Sequence, residues 1–237
     1  KSQLPLPALP TARQRIGALR SQMGDVQGTV AEMLRAGRQN YAGDVVARTK
    51  AAVTARAPFA ERLVYFWSNH LTVSVDRAVV SPFAVAYENE AIRPYVFGRF
   101  ADMLLASARH PAMLLYLDNI RSFGPNSQAV QRGAGRGNNP ERPKGLNENY
   151  ARELMELHTL GVDGGYTQTD VRTLAKILTG WSLDRERGGF LFRAPVHEPG
   201  AQSILGRTFA DAGEQQGVKA IEYLATHPAT AKHIARK

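Results

Sequence analysis

Polar side chains that could bind a ligand or catalyse acid–base chemistry are concentrated between Gly145 and Trp181. A helix predicted from Glu148 to Leu160 carries Glu153 and Glu156 three residues apart, beside an apolar stripe that includes Leu157 and His158 and is predicted to face the core. Acids at the edge of a core must be solvated, paired with arginine or bound to a ligand. We therefore treat Glu153, Glu156 and His158 as the candidate catalytic residues.

The other candidates are polar residues on or near the same helix, or buried residues that could reach it through the fold. For ligand binding these are Asn147, Glu148, Asn149, Arg152, Asp118, Asn119 and His70. A divalent metal ion would need ligands that are distant in sequence to meet in space, and the candidate set is His70, Asp118, Glu148, Glu153 and His158. The chain has no HExxH, nucleophile elbow, phosphate-binding glycine loop or EF-hand spacing, so the pattern names no reaction.

Each of these residues also has a purely structural interpretation. Asn147 and Glu148 are good residues for starting a helix, and a histidine on an apolar stripe is commonly a hydrogen-bonded core residue. His197 lies in a predicted loop, where ligand roles are commoner. The residues alone leave both interpretations open.

Composition narrows the class of protein. The chain has no cysteine, which excludes thiolate zinc sites, iron–sulfur clusters and cysteine nucleophiles. Most of the +9 charge lies before Glu61 and between Ser122 and Lys144, without the interleaved aromatic residues of a nucleic-acid surface, so nucleic acid is not the expected partner. The longest nearly apolar run, Pro111 to Leu117, is far shorter than the roughly 20 residues of a membrane span.

Helical periodicity dominates the chain, and several starts are marked by local chemistry. His110-Pro111 and His227-Pro228 each place proline in a first helical turn with histidine at the cap, and Thr167 with Asp170 resembles a capping box. Pro94 must end or kink the helix that Ser81-Pro82 opens. Further helices are predicted at Thr11 to Met23, Val26 to Gly37, Tyr41 to Arg56 and Phe59 to Leu71.

These patterns predict an all-α fold, a multi-helix bundle with long irregular loops and room for one small β-hairpin at residues 189–193 or 202–205. Residues 1–10 form an extended, proline-rich lead-in, and residues 11–237 form a single helical domain. Residues 122–145, poor in apolar side chains, are predicted to be a mobile loop. The helical pattern continues to Lys237 without a stop signal, so we expect a fragment of a longer chain.

Several long motifs carry a resemblance to a known family. They are ERLVYFWSNHLTVS from Glu61, HPAMLLYLDN from His110, SFGPNS from Ser122, HEPG from His197 and HPATAKHIARK from His227, together with the Gly145 to Trp181 segment. In this order they resemble the bacterial family catalogued as domain of unknown function 1800. The resemblance implies a mainly helical, exported protein of periplasmic or extracellular location whose export signal is not in this chain. It also implies a companion exported protein encoded nearby, and it supplies no activity.

The leading hypothesis is an exported helical protein that acts with this companion and carries a polar pocket built around the Asn147 to Glu156 helix. One alternative is a metal-assisted hydrolase in which a carboxylate such as Glu153 is the general base. The other is a structural scaffold in which every polar residue of the motif caps a helix or fills the core.

Overall fold

The computed structural model describes residues 9–25, 30–133, 145–184, 186 and 188–237. About 59% of the chain is helical, and the strands are few and short, which confirms the all-α class in its coarse form. Two compact units are present. The first comprises the described residues up to Tyr116 with Leu183–Phe190, and the second comprises Leu117–Ser182 with Leu191–Lys237.

The first unit is built from six helices within its described residues, packed around a core that includes Val64, Leu71 and Met103. Tyr87 is buried among them and its hydroxyl donates to the carbonyl of Leu71, which holds the end of the third helix. The helices are α1 (Ala12–Asp25), α2 (Val30–Val53), α3 (Pro58–His70), α4 (Ala84–Tyr87), α5 (Phe100–Arg109) and α6 (Pro111–Tyr116).

The helix opened by Ser81-Pro82 changes its winding along its length. A 3₁₀ turn at Ser81–Phe83 leads into α4, which continues as a π-helical segment at Glu88–Ile92 and then as a 3₁₀ turn at Arg93–Tyr95. The change at Arg93 confirms the predicted effect of Pro94, because proline disfavours α geometry in the residue before it. The wider π turn brings Glu88 and Arg93 onto one buried side.

The second unit combines short helices with a small β-hairpin around a core that includes Leu174, Trp181 and Ile221. Trp181 packs so closely on α10 that a Cβ added at Gly217 would lie 2.6 Å from its ring. The helices are α7 (Gln128–Gln131), α8 (Asn149–Glu153), α9 (Gln168–Ile177), α10 (Glu214–Thr226) and α11 (Pro228–Ile234).

The predicted helix starts are confirmed where the capping side chain and its backbone partner lie two or three residues apart. Thr167 accepts a hydrogen bond from the Asp170 backbone while the Asp170 carboxylate accepts from Thr167, a complete capping box for α9. His110 Nδ1 accepts from the backbone of Ala112, and His227 Nδ1 caps α11 in the same way. In contrast, residues 38–40, predicted to separate two helices, lie inside the continuous helix α2.

Both segments considered for a β-hairpin form short strand pairs. β1 (Trp181–Leu183) pairs with β2 (Phe190–Phe192), and β3 (Gln202–Ile204) pairs antiparallel with β4 (Arg207–Phe209). Leu205 and Gly206 join β3 to β4 with positive φ at both positions, the geometry of a tight hairpin turn. Among the helices that the structure describes, none is both long and apolar enough to cross a membrane.

Two predicted segments extend beyond the described residues. Of the predicted mobile loop, residues 134–144 lie outside them, whereas residues 122–133 contain α7 and several fixed turns. Of the predicted lead-in, only residues 9 and 10 are described.

Candidate functional site

The predicted helix from Glu148 to Leu160 is shorter and less regular than its sequence suggests. It begins at Asn149 as α8 and continues as a π-helical segment at Leu154–His158. The wider turn shifts the buried side, so Leu157, predicted to face the core, is 44% exposed while Met155 is fully buried. Helical periodicity in the sequence cannot show this change, because it assumes about 3.6 residues per turn throughout.

The two asparagines Asn147 and Asn119 brace the backbone. Asn147 Nδ2 donates to the carbonyl of Asp118 at 3.2 Å, and its Oδ1 accepts from the backbone of Asn149 at 3.0 Å. Asn119, 2% exposed, donates from Nδ2 to the carbonyls of Leu178 and Trp181. These bonds satisfy backbone groups at the ends of helices, which favours the structural interpretation of Asn147 and Asn119.

Glu148 lies in a polar network at the surface of the second unit. Its carboxylate accepts from Gln168 Nε2 at 2.6 Å and from Arg172 Nε at 2.9 Å, and it lies 3.5 Å from Arg152. Arg152 also donates to Gln168 at 2.8 Å, so the network joins α8 to α9. Asn149 is exposed beside it. Exposed pairs of this kind add little stability.

Glu153, Glu156 and Tyr166 form a small half-buried group. Burial raises the pKa of Glu153, and the charge of Glu156 raises it further while Arg152 partly opposes the change. The pKa of Tyr166 is also raised, by burial first and then by its charge interaction and hydrogen bond with Glu156. The two predicted catalytic carboxylates are therefore neighbours, and they repel each other at neutral pH.

We expect the Glu153→Gln variant to be more stable than the native protein at neutral pH by a few tenths of a kcal/mol, the size of a like-charge helix pair. A raised pKa means that the folded state holds the proton more tightly, so stability is lost as the pH rises above the ordinary value of 4.5. Urea denaturation across this range tests the expectation, and the gain should vanish at acidic pH. Exposed Glu222 provides the control Glu222→Gln, and a less stable Glu153→Gln protein at neutral pH would contradict it.

The two candidate histidines are both buried, in different units. His158 is 4% exposed at the end of the π segment of the second unit. His70, in the first unit, packs against the rings of Phe66, Trp67 and Phe100 at centroid distances of 5.7–6.5 Å. Across the described parts of the chain, no three His, Asp or Glu side chains are placed to hold a metal ion together, and this applies to the five predicted ligands.

A pocket of about 470 Å³ lies elsewhere in the second unit, at the short loops around β2 and the start of α10. Its walls mix amide, carboxylate and imidazole groups with an aromatic ring and prolines, which is typical of small-molecule sites. The lining residues are Asn126, Gln128, Gln131, Phe192, Ala194, Pro195, His197, Pro199, Asp211 and Gly213.

His197 is the most buried polar group of this wall, 7% exposed. Its Nδ1 lies 2.9 Å from the carbonyl oxygen of Thr179, and because a carbonyl only accepts, Nδ1 carries the proton. Its ring also packs edge-on against Phe192, with centroids 5.2 Å apart. Within the part of the chain that the structure describes, Nε2 has no hydrogen-bond partner. The hydrogen bond to Thr179 and the contact with Phe192 thus hold the imidazole in one orientation.

Glu198, the next residue, fixes the opposite wall. It is 2% exposed, and its two carboxylate oxygens accept from the backbone N and from Nδ2 of Asn126, at 2.8 and 2.7 Å. Its own backbone N donates to Thr179 Oγ1 at 2.8 Å. Gly124 makes this approach possible, because a Cβ there would lie 2.6 Å from the Cα of Glu198. The HEPG and SFGPNS motifs therefore meet at one place.

Sequence reasoning noted His197 only as a loop residue and did not connect it with Asn126, Glu198 or Asp211. The available signal was the HEPG motif, which places a histidine and a glutamate before a turn. It could not show that Glu198 is buried, because its partner lies 72 positions earlier in the chain.

The first unit contains a buried ion cluster that sequence reasoning also missed. Arg93, with a 2% exposed side chain, donates to Glu61 and, at 3.1 Å, to Glu88. Glu88 also accepts from Arg48 at 2.6 Å and from Ser68 at 3.1 Å. The positive charges of the two arginines balance the negative charges of the two glutamates, which is the usual condition for burying charged side chains.

The chain belongs to the family described as "Protein of unknown function (DUF1800)", whose model matches residues 2–237. The resemblance inferred from the motifs is thereby confirmed. Searches of curated proteins and of solved structures found no match to this chain.

Proposed function

We propose that this member of the family is a binding protein that holds a small organic ligand in the pocket around His197. We also propose that it acts outside the cytoplasm, together with a companion exported protein. The proposal moves the expected pocket from the Asn147 to Glu156 helix to the loops between α9 and α10. The α8 polar groups bind one another at the surface, whereas the His197 wall is concave.

One observation carries the proposal: a buried imidazole lines a pocket with its Nδ1 bound and its Nε2 without a partner in the described chain. A buried polar atom without a hydrogen bond costs about 1–3 kcal/mol, so such atoms are uncommon unless they serve a ligand or bound water. The pocket volume lies within the usual range for small-molecule sites, roughly 300–1,000 Å³.

The walls are also rigid enough to act as a preformed site. Glu198 holds Asn126 through two hydrogen bonds, and Thr179 holds both His197 and the backbone of Glu198. A site held in its binding geometry loses little conformational entropy when the ligand arrives. This arrangement supports a binding role.

A screen of soluble metabolites by thermal shift, followed by calorimetry, tests the site. We expect the native protein to bind at least one compound, and the His197→Asn variant, which lacks a group at the position of Nε2, to bind it about tenfold or more weakly, because one buried hydrogen bond is lost. The amide NH₂ of asparagine lies near the position of Nδ1 and can still donate to the Thr179 carbonyl, so the fold should persist. His227→Asn is the matched control, since asparagine keeps the helix cap outside the pocket. Equal affinity in both proteins, or no ligand for the native protein, would overturn the proposal.

The proposed location outside the cytoplasm and the proposed companion protein are both inferred from the family resemblance of the long motifs. Fractionation of cells that express the natural full-length gene, with affinity purification from the exported fraction, tests both. We expect the protein in the exported fraction together with one neighbouring gene product, and recovery from the cytoplasm alone would contradict this part.

A further inference from the structure

We infer that the ligand of the His197 pocket is an organic cation, an amine or a guanidinium compound, which donates hydrogen bonds to acceptors fixed on the pocket walls. The inference rests on the proposed binding function and names its ligand class. Three polar wall groups and the charge of the wall support it.

The first acceptor is His197. Since Nδ1 donates its proton to the Thr179 carbonyl, Nε2 of the neutral ring has a lone pair and no proton. A ligand atom that meets this nitrogen must therefore be a donor. An ammonium or guanidinium group supplies such N–H donors and accepts nothing.

The second acceptor is Asn126. The Glu198 carboxylate can only accept, so the amide NH₂ of Asn126 must face it, as the 2.7 Å contact from Nδ2 requires. The backbone N of Asn126 is bound to the other carboxylate oxygen. A turned amide would bring its oxygen against the Glu198 carboxylate, and two acceptors repel each other. The amide oxygen is consequently the side-chain group of this lining residue that can still accept a hydrogen bond from a ligand.

The third acceptor is Asp211, which also sets the charge of the wall. Asp211 lines the pocket, and its Oδ2 accepts from the backbone of Gly200 at 2.8 Å, so Oδ1 can still accept from a ligand. No lysine or arginine is among the lining residues, and Lys176, 3.6 Å from Glu198, balances that buried carboxylate. Within the described residues, Asp211 thus has no basic partner and gives the wall one negative charge, which favours a cation.

The aromatic ring of Phe192 completes the complementarity. It lies half-buried at the pocket, beside the His197 ring. A cation over an aromatic face gains electrostatic attraction, and the alkyl part of an amine packs on the ring edge. An anionic ligand would be repelled by the Asp211 carboxylate and would offer no hydrogen to the lone pairs of His197 and Asn126.

Two matched series of compounds test the inference by calorimetry with the native protein. The first comprises 1,4-diaminobutane, 1,4-butanediol and succinate, and the second comprises tyramine, the corresponding alcohol and the corresponding acid. We expect the amine of at least one series to bind about tenfold or more tightly than its alcohol, the value of one charge-assisted hydrogen bond, and the acids to bind most weakly. An alcohol or an acid that binds as tightly as its amine overturns the inference, as does the absence of binding by both amines.

The Asp211→Asn variant separates charge from shape. Asparagine can still accept from Gly200, so the loop is retained, but the amine should lose about tenfold in affinity while the alcohol is unaffected. Asp163→Asn is the matched control, since Asp163 is exposed in the same unit and outside the pocket. Amine binding that is unchanged in Asp211→Asn overturns the inference.

The two proposals fail in different ways. A neutral or anionic compound whose binding depends on His197 would preserve the binding function and overturn the cation inference. A native protein that binds no compound of either the broad screen or the two series would overturn both.

Discussion

The Arg93→Met variant is expected to lose about 3–5 kcal/mol in the free energy of unfolding, the usual cost of leaving a buried charge unpaired. Arg93 donates to both Glu61 and Glu88 from a side chain that is 2% exposed. Glu88 keeps Arg48 and Ser68 as partners, but Glu61 loses its ionic partner, and its second oxygen already has no hydrogen-bond partner in the described chain. Denaturant unfolding followed by circular dichroism gives the measurement.

Two further variants identify the cause of this loss. Arg62→Met makes the same change at an exposed position of α3 and should alter stability by no more than about 0.5 kcal/mol. The double variant Arg93→Met/Glu61→Leu removes the unpaired acid and should be more stable than Arg93→Met alone. If the double variant were less stable than the single one, packing of the arginine stem, and not the unpaired charge, would explain the effect.

The parts of the fold that the sequence could predict depend on neighbours within a few positions. The capping box of α9 and the histidine caps at His110 and His227 each involve residues two or three positions apart. The kink before Pro94 follows from a clash with the preceding residue. Such chemistry is visible in the printed sequence because its geometry is fixed by the backbone of one turn.

The parts that could not be predicted depend on partners far apart in the chain or on a change of helical winding. Glu61 and Arg93 are 32 positions apart, and Asn126 and Glu198 are 72 positions apart. Periodicity placed Leu157 in the core, and the π-helical turn exposes it. The polar side chains of α8 and α9 also pair with one another at the surface, and spacing alone does not show which groups pair.

The Gly124→Ala variant is expected to lose about 1–3 kcal/mol in the free energy of unfolding, the typical cost of an overpacked site. The new Cβ would lie 2.6 Å from both the N and the Cα of Glu198. These are backbone atoms, so no rotamer change relieves the clash. Gly124 must move away, although its N–H donates to the Val196 carbonyl at 2.9 Å. Thermal and denaturant unfolding measure the loss.

Gly43→Ala is the matched control, because its Cβ would meet nothing within 4 Å inside helix α2. It should leave stability unchanged or raise it by up to about 1 kcal/mol, the helix preference of alanine over glycine. A stable Gly124→Ala protein would mean that the two loops can separate without cost, and the pocket would then not be preformed.

The same substitution links the fold to the proposed binding site. Movement of Gly124 carries Asn126 away from Glu198, so both the amide orientation and the pocket wall are lost. Any ligand that depends on His197 should therefore bind Gly124→Ala more weakly at temperatures where the variant is still folded, whereas Gly43→Ala should bind it normally. Loss of stability with full ligand affinity would show that Asn126 takes no part in binding, and would remove one of the three acceptors from the site.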